Sequence, residues 1–174
     1  YRRSLIQKSG ARFVDLAEIG SYEDGLFNLE VFGKADRVVY LAAYLYHYRR
    51  DGSSSVTSGY NPRLYDQWQT LYDRMEAIIR SNQLGSEYEA ALNNRIALGI
   101  LGLGLNITVS TQSMGKKVKD IHRIIRQERY QKAYKNLPLN YFPIHWKLFY
   151  GCARHGFAFG VYVLLTVIQR IISR

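Results

Sequence analysis

Two adjacent carboxylates, Glu23 and Asp24, are the residues of this sequence whose type and position best suit catalysis. They open a predicted helix from about Glu23 to Gly33. Its apolar side consists of Leu26, Phe27, Leu29, Val31 and Phe32. The positive N-terminal end of a helix favours an ionised carboxylate, which is the form that a general base requires. Acidic residues are common in the first turn of helices, so the pair taken alone fits a structural role equally well.

A second group of candidate residues lies in the polar loop that follows Tyr48. Guanidinium groups and hydroxyls suit phosphate oxygens, which makes Arg49, Arg50 and Ser53 candidate substrate-binding residues. A solvated hairpin end explains the two arginines equally well. His47 stands between two tyrosines in a predicted strand, where a structural histidine is more common than a metal ligand.

Short helices and strands are predicted on both sides of the carboxylate pair. A helix at Arg2–Lys8 ends at Ser9-Gly10, a typical glycine C-cap. Arg12–Val14 is a short strand candidate. Arg37–Ala42 and Tyr44–Arg49 are predicted strands because β-branched and aromatic residues dominate them.

After Gly59 the pattern predicts helices only. Asn61-Pro62 is a helix-start pair. The helix that follows has one apolar stripe, formed by Leu64, Trp68, Leu71, Met75 and Ile78. Further helices are predicted over about 86–109 and 115–136, and beyond Pro143.

Three glycines, Gly99, Gly102 and Gly104, interrupt the apolar helix at 86–109. Their order is the reverse of the dinucleotide-binding fingerprint, and no following acidic residue supports that motif. Close helix packing is the better interpretation.

Positive charge is concentrated in the helical part of the chain. The 174 residues carry a net charge of +10. Residues 1–59 hold eight Lys/Arg against seven Asp/Glu, whereas residues 60–174 hold sixteen against seven. A basic region of this kind implies an anionic neighbour, either ligand phosphates, nucleic acid or an acidic lipid surface. No recognised nucleic-acid-binding module is present, so nucleic acid is not an expected partner.

The location of the protein is suggested by two simple features. The single cysteine, Cys152, excludes an internal disulfide framework and a cysteine-rich zinc site. It also fits a reducing compartment. No signal peptide opens the sequence, so we expect a cytoplasmic protein.

An ordered set of motifs covers the first 59 residues. In chain order these are Tyr1-Arg2-Arg3-Ser4-Leu5-Ile6, Gly10-x-Arg12-Phe13, Tyr22-Glu23-Asp24-Gly25-Leu26-Phe27-Asn28, Lys34-Ala35, Val38-Val39-Tyr40-Leu41, Leu45-Tyr46-His47-Tyr48-Arg49-Arg50 and a Gly52-Ser53 loop. This order resembles the end of the catalytic domain in inverting family-two glycosyltransferases. The remaining 115 residues match no motif.

The resemblance implies transfer of a sugar from a nucleotide diphosphate, with inversion at the anomeric carbon. It assigns Asp24 as the general base that takes the proton of the acceptor hydroxyl. Glu23 would orient local structure or the acceptor, and the loop with Arg49, Arg50 and Ser53 would close over the diphosphate. The implied partners are a nucleotide-sugar donor and a glycan or lipid-linked acceptor in the synthesis of bacterial surface polysaccharide.

The resemblance also implies a fold. We expect an α+β chain, mostly α, in which residues 1–59 form the C-terminal part of a type A glycosyltransferase catalytic domain with short strands plus helix. Residues 60–174 would form a helical, bundle-like domain. The family holds a divalent metal, Mn or Mg, through an Asp-x-Asp motif that this sequence lacks. The metal ligands and the nucleotide-binding half are therefore expected before Tyr1, and the chain alone is expected to be inactive.

The helical half has features of a membrane-surface protein. Basic residues crowd the predicted helix at 115–136, and the apolar run Gly156–Ile168 is shorter than the ~20 residues that cross a bilayer. These features predict peripheral contact with the inner face of the cell membrane. A solvated basic face and an ordinary core helix explain them about as well.

The rival function is a non-catalytic basic helical module that docks on membranes or protein partners. The two functions differ over Asp24, which the enzyme places in a cleft beside a sheet edge and the docking module on an ordinary surface.

Overall fold

A computed structural model describes residues 1–46 and 59–172 of the chain. All regular secondary structure within these ranges is helical. The helices are α1 (Arg3–Ser9), α2 (Leu16–Ile19), α3 (Glu23–Phe32), α4 (Leu64–Ser81), α5 (Ser86–Thr108), α6 (Met114–Ile125), α7 (Glu128–Asn136), α8 (Ile144–His155) and α9 (Ala158–Ile172), with a 3-10 turn at Leu139–Tyr141 before α8.

The α+β prediction is wrong for the described residues. Arg12–Val14 and Arg37–Ala42 are irregular, and so is 44–46, the described part of the second long strand prediction. The apolar side chains from Val38 to Leu41 are exposed, and the Ala43 N–H donates to the carbonyl of Leu41 rather than to another strand. Residues that suit a strand form one only when a second strand supplies hydrogen-bond partners. Residues 47–49 lie outside the described residues.

The chain divides into two compact units, of which the first contains residues 1–59 and 66–84. In this unit Ala11, Phe27 and Val31 form a buried cluster, and Leu5 and Ile6 of α1 pack against it. Gly10 ends α1 as predicted, with a φ of 71° and its N–H bonded to the Ile6 carbonyl. Phe13, predicted in a strand, instead stacks on the ring of Phe27 at 4.5 Å between centroids.

The second unit contains residues 60–65 and 85–174. Helix α5 packs against α6, α7 and α9, and α8 packs against α7 and α9. By length and composition α5 is the one described helix long and apolar enough to cross a membrane, but 44% of its most apolar window is buried inside the protein. Within this unit it is a partly buried helix against which α6, α7 and α9 pack. The predicted domain boundary between residues 59 and 60 stays a prediction.

A close approach of α5 and α9 explains one of the three glycines. A Cβ added at Gly104 would lie 2.4 Å from Cδ1 of Leu165, whose side chain is fully buried. Such a distance is far inside the contact limit of two carbon atoms. The packing interpretation is therefore confirmed at Gly104.

The single helix predicted over 115–136 is two helices, because α6 ends at Ile125 and Gln127 adopts an extended backbone. At about 3.6 residues per turn, Tyr130 in a continuous helix would point away from Ile121. The break allows both side chains to be buried. The Gln131 side chain covers the end of α6 by donating from Nε2 to the Ile125 carbonyl at 2.7 Å.

The packing of α5 on α9 can be tested at Gly104. Gly104→Ala should lower the free energy of unfolding by about 1–3 kcal/mol, because the added methyl group overpacks the core against Leu165. Gly151 of α8 is the matched control, since a Cβ there meets nothing within 4 Å. Gly151→Ala should raise the stability by up to about 1 kcal/mol through helix propensity. Equal effects in urea unfolding would contradict the close approach.

Burial raises the pKa of Tyr150 to about 12 from its ordinary value of 10.0. The neutral phenol is favoured in the folded state, so this stabilisation is complete below pH 10 and is lost as the pH rises through 12. Tyr150→Phe should therefore flatten the fall in unfolding free energy over that range. Tyr141→Phe serves as the control, because Tyr141 is 83% exposed. Unfolding curves at several alkaline pH values measure the effect. The prediction fails if the unfolding free energies of both variants show the same pH dependence as that of the wild type.

Candidate active site

Asp24 lies in the first turn of α3 and its side chain is exposed. Its Oδ1 accepts a hydrogen bond from the Gly25 N–H at 2.6 Å. No other hydrogen bond to this carboxylate occurs within the described ranges, so Oδ2 can receive a proton from a bound hydroxyl. Glu23 is half-buried beside it. The helix predicted from Glu23 is confirmed, and the two carboxylates do occupy its positive end.

The start of α3 has an unusual local structure. Tyr22 precedes the helix with a φ of 73°, in the left-handed region that non-glycine residues rarely adopt. Its ring folds back over the first turn, and a Cβ at Gly25 would lie 2.1 Å from its Cε1 atom. Only glycine fits at position 25 while the ring occupies this place. The Gly25 N–H that bonds to Asp24 is thereby part of a turn that Tyr22 shapes.

Helix α4 holds the segment that leads into this turn. The Gln67 Nε2 donates to the Ala17 carbonyl at 3.0 Å, and the Trp68 Nε1 donates to the Ser21 Oγ at 3.1 Å. Arg74 forms an ion pair with Glu18 of α2. These three contacts fix residues 17–21, and Asp24 follows three residues later.

The supporting role of α4 does not follow from its apolar stripe, which contains Trp68 but predicts no contact for the indole N–H. The available signal was Gln67, a polar side chain on the buried side of the helix and only 7% exposed. A buried polar group must find a hydrogen-bond partner, so such a residue predicts a specific contact even when the partner is unknown.

The cavity found in the first unit does not contain Asp24. It has a volume of about 940 Å³ and lies between α1, the end of α3 and residues 35–39. Arg2, Lys8 and Arg37 contribute positive charge to its lining. Phe32 at its edge is eight residues from Asp24, or about 12 Å along the helix. The cleft and sheet edge that the enzyme interpretation expects at Asp24 are not present among the described residues.

The other candidate residues cannot be placed. Arg49, Arg50, Ser53 and His47 lie outside the described residues. Within 1–46 and 59–172, no three His, Cys, Asp or Glu side chains come together as a metal-binding group. The described side chains therefore form no three-ligand site for a Mn or Mg ion.

Two curated proteins of Bacillus subtilis strain 168 are similar to this chain. EpsH, provisionally named a glycosyltransferase, is 32% identical over 98 residues, which are 56% of this chain and 28% of EpsH. EpsJ, named an uncharacterized glycosyltransferase, is 29% identical over 142 residues, which are 81% of this chain and 41% of EpsJ. The chain thus spans less than half the length of either relative.

These similarities support a relationship to glycosyltransferases, without distinguishing family two or the type A fold. The match to EpsJ is longer than the first 59 residues, so it extends into the helices beyond the recognised motifs. No protein-family model matches the chain, and no solved structure matches it significantly.

The turn that carries Asp24 can be tested with a double-mutant cycle at positions 22 and 25. Gly25→Ala should destabilise the protein by about 1–3 kcal/mol, because its methyl group would collide with the Tyr22 ring. In the Tyr22→Gly background the ring and the left-handed strain are both absent, so Gly25→Ala should be neutral or stabilising. Chemical unfolding of the four proteins measures the coupling. Additive effects would show that the ring does not lie over Gly25.

Proposed function

We propose that this chain forms part of an inverting, nucleotide-sugar-dependent glycosyltransferase in which Asp24 is the general base. The observation that carries the proposal is the similarity to two relatives named as glycosyltransferases. The ordered motifs of residues 1–59 supply the finer assignment to a family-two enzyme. The proposed acceptor is a glycan or a lipid-linked sugar of bacterial surface polysaccharide.

The proposed reaction is a single displacement. The acceptor oxygen forms a bond to the anomeric carbon of the donor sugar, while the bond from that carbon to the diphosphate oxygen breaks. The acceptor proton passes to Asp24, and the nucleoside diphosphate leaves with the electron pair of the broken bond. Because attack and departure occur on opposite faces of the sugar, the anomeric configuration inverts.

The geometry of Asp24 suits this role in two respects. The carboxylate is exposed, so a large acceptor can reach it. One oxygen is held by the Gly25 N–H and the segment before it is held by α4, which reduces the freedom of the base before the acceptor binds. Glu23, in the same turn, would orient the acceptor.

The proposed binding residues for the diphosphate lie in this chain, whereas those for the metal lie outside it. Arg49, Arg50 and Ser53 are the proposed diphosphate-binding residues, since guanidinium groups and hydroxyls complement phosphate oxygens. A Mn or Mg ion in the full-length enzyme would be held by side chains outside this chain. No step assigned here to Asp24 depends on that ion.

One observation favours the rival function. Asp24 lies outside the cavity of the first unit, which is the position expected for this residue in a non-catalytic docking module. A docking module would retain its partner binding when Asp24 is changed, and would release no nucleotide from any donor.

Replacement of the carboxylate separates the two functions. In the full-length protein Asp24→Asn should lower sugar transfer by about 10²–10⁴-fold, because the amide cannot accept the acceptor proton. The fold should be unaffected, since the amide oxygen can still accept the Gly25 N–H. Release of nucleoside diphosphate would be measured across a panel of nucleotide-sugars with manganese and membrane-extracted acceptor.

Asp15→Asn is the matched control. Asp15 is an exposed carboxylate that caps α2 by accepting from the Ala17 N–H at 2.8 Å, and asparagine caps helices equally well. Asp15→Asn should leave transfer unchanged. An active parent with an equally active Asp24→Asn variant would remove Asp24 from the mechanism. Absence of release from the parent with every donor would favour the docking module.

A further inference from the structure

Helix α9 is apolar on two opposite sides. One side carries Ala158, Val161 and Leu165, all of them buried, and Leu165 lies against Gly104 of α5. The other side carries Phe159, Val163, Val167 and Ile171, which recur every four residues and are between 42% and 69% exposed. Helices that are apolar all round are normally covered all round, by protein or by lipid.

The exposed side of α9 continues into the loop before the helix. The Phe157 ring lies 6.5 Å from the Phe159 ring, and it approaches the backbone at Gly160 so closely that a Cβ there would be 2.5 Å away. Phe157 is itself 56% exposed. We call Phe157, Phe159, Val163, Val167 and Ile171 the α9 face. Its four helical residues extend over about 18 Å.

Positive charge predominates in the part of the chain that carries the α9 face. From residue 129 to the end of the printed sequence there are seven Lys/Arg and no Asp or Glu. Arg154 and Arg170 are exposed in the last turns of α8 and α9. Arg126 places its guanidinium against Gly156, directly before Phe157. An apolar strip with cations near both ends is complementary to a surface that is anionic outside and apolar beneath.

We propose that the α9 face binds the surface of an anionic lipid bilayer. The aromatic and aliphatic side chains enter the boundary between headgroups and acyl chains, while Arg154 and Arg170 remain at the level of the lipid phosphates. Helix α9 lies along the surface, because its opposite side is packed on α5 and α6 within the second unit. A second copy of the chain fits less well, since it would bring two cationic surfaces together.

The proposal does not depend on Asp24 or on sugar transfer. Its test is flotation of the full-length protein with vesicles of equal parts phosphatidylglycerol and phosphatidylcholine, and with vesicles of phosphatidylcholine alone. The wild type should float with the anionic vesicles, and binding should weaken at high salt and with the neutral vesicles. Val163→Glu/Val167→Glu should lower the partition coefficient at least about tenfold, because two carboxylates replace apolar contacts at the lipid surface.

Thr111→Glu/Gln127→Glu is the matched control, since both residues are exposed, lie off α9 and change the net charge equally. It should retain most of the binding. If the glutamate pair on α9 unfolds the protein by circular dichroism, Phe157→Ala/Phe159→Ala replaces it and should also reduce binding without changing charge. No flotation of the wild type, equal loss in the control, or a dimer that only the α9 variants dissociate would each overturn the proposal.

Discussion

The placement of Asp24 depends on the contact between α4 and the short segment that joins α2 to α3. Residues 17–21 contain little apolar surface beyond Ile19 and cannot fix their own position. The Trp68 and Gln67 side chains donate to Ser21 and Ala17, each bond being worth about 0.5–1.5 kcal/mol. The Arg74–Glu18 ion pair adds less, since both side chains are 43% exposed and such pairs contribute about 0–1 kcal/mol. These bonds are individually weak, and their main effect is to fix the orientation of residues 17–21.

Tyr22 and Gly25 shape the first turn of α3 and so determine the orientation of the Asp24 carboxylate. A left-handed non-glycine residue costs on the order of 1–3 kcal/mol, and the neighbouring contacts must maintain it. Because the Tyr22 ring occupies the space above Gly25, the first turn of α3 has little freedom to rearrange. The steric contact with the Tyr22 ring therefore explains the glycine at position 25, and the helix dipole explains the acidic residues Glu23 and Asp24.

The sequence predicted the helices well and their partners poorly. The bounds of α1, α3 and α5 follow from caps and periodicity, which are local properties of the chain. The strand predicted at Arg37–Ala42 failed because β-propensity describes one segment, whereas a strand needs two. The division of α6 from α7 was missed because each half is periodic; only the requirement to bury both Ile121 and Tyr130 reveals the break.

The candidate site likewise combines features that are local in the sequence with contacts between distant segments. The position of Asp24 in the first turn of α3 was predictable from the sequence, whereas its role as a base stays a prediction. The bonds from Gln67 and Trp68 cross about fifty residues of sequence, a separation that no local pattern encodes. The phosphate-binding role of Arg49, Arg50 and Ser53 remains a prediction, as these residues lie outside the described part of the chain.

The α9 face adds a constraint on where such an enzyme would work. A soluble helix that packs one side on α5 needs only that side to be apolar; Val163 and Val167 add nothing to its contact with Gly104. Their exposure to water is unfavourable, and the proposed contact with a bilayer would remove it. A bilayer would also hold a lipid-linked acceptor at high effective concentration around the bound protein. Under the two proposals together, the α9 face would hold the enzyme at the membrane, and Asp24 in the first turn of α3 would be the base for transfer to an acceptor of that kind.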